Sequence, residues 1–307
     1  MWQRTKAFQG LRLLFFVSIV AGHCGQTICG GGGELCSFFF IISGFLYTEK
    51  SSWKSYIKKK SIAIFPIYYF CLFLFVFGRM YRGHGHIDWD IIPHLLLVQS
   101  WIPQFIIQTG KYYLGPAWFL SSLYFCYLLS PWCYRFVTNK LYLSTIIFPL
   151  LIVCIHTVDW GTYSTWVTYC SPIERLFEYI FGMCIGMFVK PLAYRKEPFP
   201  CFCLLVTLVY LASIKYLDLN WQFIFIHPII LSMIYLYESV PLNMVFANKL
   251  VLRIASAGIF IYLSHNPILM AVPGAWWFKT IVCTLVGWGL YELYNWGINL
   301  VKSQKCH

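Results

Sequence analysis

Arg12 and His23 stand eleven positions apart in the apolar run RLLFFVSIVAGH. At 3.6 residues per turn that is just over three turns, so a helix carries both side chains on one face, about 16 Å apart along its axis. This is roughly half a hydrocarbon core, which puts a guanidinium near one membrane surface and an imidazole deep inside. Ionisable groups are costly in a bilayer and usually mark a reaction centre or a pathway. A neutral imidazole can take a proton from a hydroxyl and later return one, help worth typically about 10²–10⁴-fold. The spacing therefore points to an enzyme with an intramembrane site. A helix histidine satisfied by a local partner is the plainer alternative.

Other groupings have chemical readings of their own. Lys58, Lys59 and Lys60 form a basic run in KSYIKKKSIAIFPIYYF. They suit phosphate contacts at the cytoplasmic mouth, or simple anchoring at lipid headgroups. Glu174 and Glu178 are four apart, with Arg175 three before Glu178, which suits an ion pair on one helix face. The alternative is a role in positioning an acceptor. Tyr262 and His265, three apart, can face one cavity or pack. Ser43-Gly44 in a helix is commonly a small notch for close packing. Gly30–Gly33 with Glu34 make a pliant outer loop, and with no strand before them they are not a nucleotide-binding motif. His84 and His86, near Asp88 and Asp90, suit a solvated loop better than a zinc site, so no metal centre is expected.

Positioning these residues requires a membrane bundle. Of the 307 residues, 59% are hydrophobic and only 11% charged, against about 25% charged in a soluble domain. The whole chain, 1–307, is then one transmembrane domain, with no room for a separate soluble one. No cleavable signal peptide is expected, since the segment after Arg12 lacks a small-x-small site. The net charge of +12 does not indicate nucleic acid, because Lys and Arg lie between the apolar stretches. Anionic lipid headgroups are the simpler partner. Most of the thirteen cysteines are expected to be free packing thiols, with one pair possible among Cys24, Cys29 and Cys36.

Eleven apolar stretches are visible, near 13–28, 35–48, 62–78, 91–107, 117–134, 141–157, 172–189, 199–214, 221–237, 255–271 and 277–297. The stretch 91–107 is the weakest, holding Pro93, His94, Gln99 and Pro103. If it does not span and the N-terminus is cytoplasmic, 17 of the 23 basic residues fall on the cytoplasmic side, Lys50, Lys54 and Lys58–Lys60 among them in one inner loop. The positive-inside rule then selects ten spans with both termini cytoplasmic. The fold class expected is all-α, a polytopic integral membrane helix bundle, with 91–107 re-entrant or lying on the outer surface.

The motifs together resemble the membrane acyltransferase family 3, which transfers acyl groups to glycans. Arg12 and His23 match its first-helix motif of Arg, ten residues, then His. FFIISGFL at 39–46 matches its second-helix motif, and Pro66 with Tyr68 its Pro-x-Tyr. AWFLSSLYFCYLLSP at 117–131, SPIERLFEYIFGMCIGMF at 171–188 and IYLSHNPIL at 261–269 resemble three further family segments. The likeness covers almost the whole chain in order. Ala63 and Leu123 depart from it, standing where the family often has Arg and Glu.

The resemblance implies an O-acyltransferase of the bacterial inner membrane, multi-pass, acting on a lipid-linked or nascent surface polysaccharide. Acetyl-CoA is the implied co-substrate, with no tightly bound cofactor. His23 and Arg12 are then the catalytic candidates, and Lys58, Lys59 and Lys60, with Arg12, the candidates for receiving donor phosphates. Glu174, Arg175, Glu178, Tyr262, His265, Trp118 and Ser43 are the candidates for the acceptor site. A polysaccharide exporter without acyl chemistry, and transfer of succinyl in place of acetyl, are the alternatives.

Overall fold

A computed structural model describes residues 2–28, 32–49, 52–81, 87–107, 113–192, 227, 230 and 245–304. The described residues are mostly helical, with no strand among them. The helices are α1 (Trp2–His23), α2 (Gly32–Leu46), α3 (Trp53–Tyr81), α4 (Ile91–Leu95), α5 (Pro103–Ile107) and α6 (Trp118–Asn139). They continue as α7 (Leu141–Thr157), α8 (Pro172–Leu192), α9 (Lys249–Ala255), α10 (Gly258–Ala271) and α11 (Trp276–Gln304). The expected stretches 199–214 and 221–237 lie outside the described residues, apart from His227 and Ile230.

The chain divides into two compact units. One joins the two ends of the chain, Met1–Gly32 and Pro241–His307, and the other is Gly33–Val240. In the first, α1 packs on α9, α10 and α11, and α10 pairs with α11. Val20, Ala257, Ile261 and Cys283 form its apolar centre. Asn248 starts α9 by accepting a hydrogen bond from the Leu250 N–H at 2.9 Å, satisfying one of the open donors of a first turn. α9 and α10 meet at a bend of 59°.

In the second unit α8 packs on α6 and α7, around Val137, Phe148, Ile180 and Cys184. α2 lies still closer to α8. A Cβ placed on Gly44 would stand 1.8 Å from the Tyr179 carbonyl oxygen, and one on Gly182 would stand 2.0 Å from that of Ile41. Gly182 and Gly186 are four apart, so α8 offers α2 a groove of bare backbone, the small-xxx-small device of helices packed in lipid. Gly44 is thus the packing notch that Ser43-Gly44 suggested.

The stretch 91–107 is no single helix. It breaks into α4, a 3₁₀ turn at Gln99–Trp101 and α5. Pro103 cannot carry a helix on from the residues before it, and buried Leu97 adopts a left-handed φ of 56° that stops the first turn. The pieces dock by side chains. Tyr68 donates to the His94 carbonyl at 2.6 Å, and Ser100 bonds Ser121 at 2.8 Å.

Two expected loops differ. α3 begins at Trp53, so Lys54 and Lys58–Lys60 lie on helix and not in a loop. Their long side chains are good helix formers, and nothing before Pro66 interrupts the turn. α2 begins at Gly32, and Gly33 holds a place where a Cβ would stand 2.9 Å from the Tyr169 ring, so packing recruits part of the glycine run into helix.

α3 is the one described helix long and apolar enough by itself to cross a membrane, and α9 with α10 pass the same test as a bent pair. α2 and α7 are apolar but have 15 and 17 residues. Large apolar side chains point outward on several helices: Ile62, Phe73 and Phe77 of α3, Ile146 and Leu150 of α7, Leu285 and Trp296 of α11. Such faces are unfavourable in water and at home against hydrocarbon.

Candidate active site

α1 carries both Arg12 and His23 on one unbroken helix, as their spacing requires. Arg12 is half-buried, while His23 closes the last turn and is exposed. Its ring lies against that of His265 on α10, with centroids 4.9 Å apart and planes tilted by 32°. His265 is 1% exposed, and its Nδ1 bonds the Tyr262 carbonyl one turn back. A carbonyl only accepts, so Nδ1 carries the proton and Nε2 keeps a free lone pair. That Nε2 is buried and has no hydrogen-bond partner among the described residues. The pair thus offers one exposed imidazole, which can meet a substrate hydroxyl, and one buried imidazole held in a fixed tautomer. Tyr262 is buried too, its ring 5.7 Å from that of Phe16 on α1.

His23 lines a cavity of about 350 Å³ together with Cys24, Asn266, Leu269, Met270 and Lys279. The sequence marks Cys24 only as a possible disulfide partner, and it does not mark Asn266 or Lys279 as site residues. Asn266 follows His265 directly, and Lys279 is a cation in the first turn of an otherwise apolar helix; those were the available signals.

The other acceptor candidates belong to the second unit and form a closed group. Glu174, Arg175 and Glu178 are each 1% exposed or less. Arg175 Nη1 meets Glu178 Oε2 at 2.7 Å, and Nε meets Glu174 Oε2 at 3.0 Å. The guanidinium also donates to Ser37 Oγ at 2.7 Å and to the Tyr169 carbonyl at 2.8 Å. Trp118 is buried beside it, 5.7 Å from ring centroid to guanidinium carbon, with Phe40 at 5.5 Å. His156 reaches Glu174 at 3.3 Å. Ser37 and His156 are the members of this network that the sequence reading missed. Ser43 is half-buried on α2 beside the Gly44 notch.

The three lysines do not lie on one face of α3. Successive helix residues are about 100° apart, so 58–60 fan around α3. Lys58 and Lys59 are exposed, whereas the Lys60 ammonium sits 4.2 Å over the Tyr127 ring and 5.5 Å from that of Tyr56. No group of three or more His, Cys, Asp or Glu suited to a metal occurs among the described residues. His84 and His86 lie outside them. Cys24 and Cys36 form no disulfide among the described residues, and Cys29 is not one of those residues.

No solved structure matches the chain. A curated protein that does, the acyltransferase MdmB of Streptomyces mycarofaciens, is 23% identical over 247 residues. The match takes in 67% of this chain and 63% of that protein, so the chain spans less than two thirds of its relative's length. The family described as "Acyltransferase domain", type 3, matches residues 5–291, which include Arg12, His23, the Arg175 network and His265. The chain belongs to the type 3 acyltransferase family.

Proposed function

We propose that the chain is a multi-pass membrane O-acyltransferase, a single domain of ten spans with both termini cytoplasmic, in a bacterial inner membrane. It moves an acetyl group from acetyl-CoA to a hydroxyl of a surface polysaccharide or of its lipid-linked precursor. The observation that carries this reading is His23, exposed at the end of α1 and backed by buried His265, with Arg12 on the same helix. His23 takes the hydroxyl proton as the oxygen attacks the thioester carbonyl, then returns a proton to the departing thiolate. Arg12, about 16 Å along the axis, lies on the donor's side of the bilayer. The outward apolar faces of α3, α7 and α11 support the membrane setting.

The test is acetyl transfer by the purified full chain in lipid nanodiscs, from radiolabelled acetyl-CoA to a lipid-linked oligosaccharide. Label in the glycan, released by mild base as an ester would be, is the expected result. In cells, His23→Ala should remove the ester and leave polymer export intact. Lost export with retained ester would overturn the reading in favour of a transporter. Reporter fusions at Lys196 and at Asp88 should report cytoplasm and outside; the reverse at either would sink the ten-span topology.

A further inference from the structure

We propose that Lys279 is an anion-binding subsite in the wall of the His23 cavity, and that the acceptor is an acidic glycan carrying a carboxylate or phosphate near its reacting hydroxyl. This rests on the acyltransferase reading of the same cavity. Lys279 is half-buried in the first turn of α11 and lines the cavity with His23, Cys24 and Asn266. It makes no ion pair among the described residues. A lysine there does nothing for its own helix, because the first turn already bears the positive end of the helix dipole and favours anions. The neighbouring Trp276, Trp277 and Phe278 give it no acidic partner. In the proposed ten-span topology it also stands at the outer end of a span, a side on which that topology leaves few cations. Together the ammonium and the helix end make one wall of the cavity electropositive, while Leu269 and Met270 supply an apolar one. Asn266 is a donor and acceptor suited to sugar hydroxyls. A cavity of about 350 Å³ is of the size that holds a small ligand such as one sugar unit.

Cys24 in the same wall gives a readout independent of catalysis. The full chain in neutral detergent is treated with an equimolar mixture of iodoacetate and iodoacetamide. The ratio of the two adducts is measured by mass spectrometry at Cys24 and on free N-acetylcysteine amide in the same solution. A cation in the cavity enriches the anionic reagent at Cys24, by about five- to tenfold over the free thiol at low salt. Lys279→Gln should bring the ratio down to that of the free thiol, and Lys279→Arg should keep it. Should Lys279→Gln fail to fold, the wild-type ratio must still collapse in 0.5 M salt, a choice of about a 4 Å screening length. Methyl glucuronide and inorganic phosphate should protect Cys24 in the wild type, and methyl glucoside should not.

An unchanged ratio in Lys279→Gln, or one insensitive to salt, overturns the proposal. Protection by desulfo-coenzyme A and not by the glucuronide would assign the cation to the donor, and loss of the preference only in phosphatidylglycerol nanodiscs would assign it to lipid headgroups. Either result overturns the acidic acceptor. A preference that persists in a chain unable to transfer acetyl would leave the anion site standing and sink the acyltransferase reading instead.

Discussion

In the second unit each nitrogen of the Arg175 guanidinium has a partner: two carboxylates, a serine hydroxyl and a backbone carbonyl. In the first unit the His265 Nε2 is buried without a hydrogen bond among the described residues, and Lys279 is half-buried without an ion pair among them. Both regions hold polar groups inside a predominantly apolar chain, at a desolvation cost. The closed network recovers that cost in the resting fold. The open one does not, and the groups left over are those a substrate can use. Satisfaction of its donors therefore distinguishes the Arg175 guanidinium from the groups of the His23 cavity. It makes the Arg175 group a tie between α2, α8 and the turn at 166–170, and leaves the His23 cavity as the region whose polar groups are open to a ligand.

The largest effect expected falls on the open side. His23→Ala should reduce acetyl transfer by about 10²–10⁴-fold with the chain still inserted, because the exposed ring makes no fold-defining contact beyond that with His265. His23→Gln should do no better, since an amide cannot relay a proton at neutral pH. Steady-state transfer rates at equal protein, with circular dichroism as the folding control, check this. Full activity in either variant would erase the distinction between the regions.

On the closed side the expected loss is of stability, not of rate. Arg175→Met leaves two buried carboxylates unpaired and should cost about 3–5 kcal/mol, seen as poor recovery and a lowered Tm in detergent. Glu178→Gln keeps a hydrogen-bonding oxygen for Arg175 and should cost less. An Arg175→Met protein of normal Tm whose acceptor KM has risen would move the network to the acceptor site. Gly182→Ala tests the same region without charge. Its methyl must displace the Ile41 carbonyl, for a cost of about 1–3 kcal/mol in the same melting assay. A neutral outcome would mean that α2 and α8 can separate freely.

Helix type was legible wherever apolar runs were long. The stretch 141–157 coincides with α7, and 172–189 falls within α8. Ends were less legible where polar helix formers extend an apolar run. α1 reaches back to Trp2 and α3 to Trp53, because Lys, Gln and Ser continue a turn that hydropathy ignores. The Arg12–His23 register could be read because both residues lie on one helix, where spacing alone fixes the face. The contact between His23 and His265 could not, as it depends on how α1 and α10 pack across more than two hundred positions of sequence. Ser37 and His156 were hidden for the same reason: Arg175 names its partners only through the fold.

The smallest effect concerns the lysines of α3, where the same contrast between occupied and open groups recurs on one turn. Lys60 is occupied, its ammonium resting over Tyr127 and Tyr56. Lys58 and Lys59 are exposed and able to meet a donor phosphate. Replacing Lys58 and Lys59 together by Gln should raise the acetyl-CoA KM about threefold to tenfold, since each exposed charge contributes about 0.2–1 kcal/mol. Added salt should raise the wild-type KM towards that of the double variant. Lys60→Gln should leave the donor KM in place and instead remove a cation–π contact of about 0.5–1 kcal/mol, visible as a small fall in Tm. The reverse pattern, a KM effect from Lys60 and none from the exposed pair, would show that the ammonium leaves the rings when donor binds. An unchanged KM in both would leave all three lysines as anchors at the headgroups.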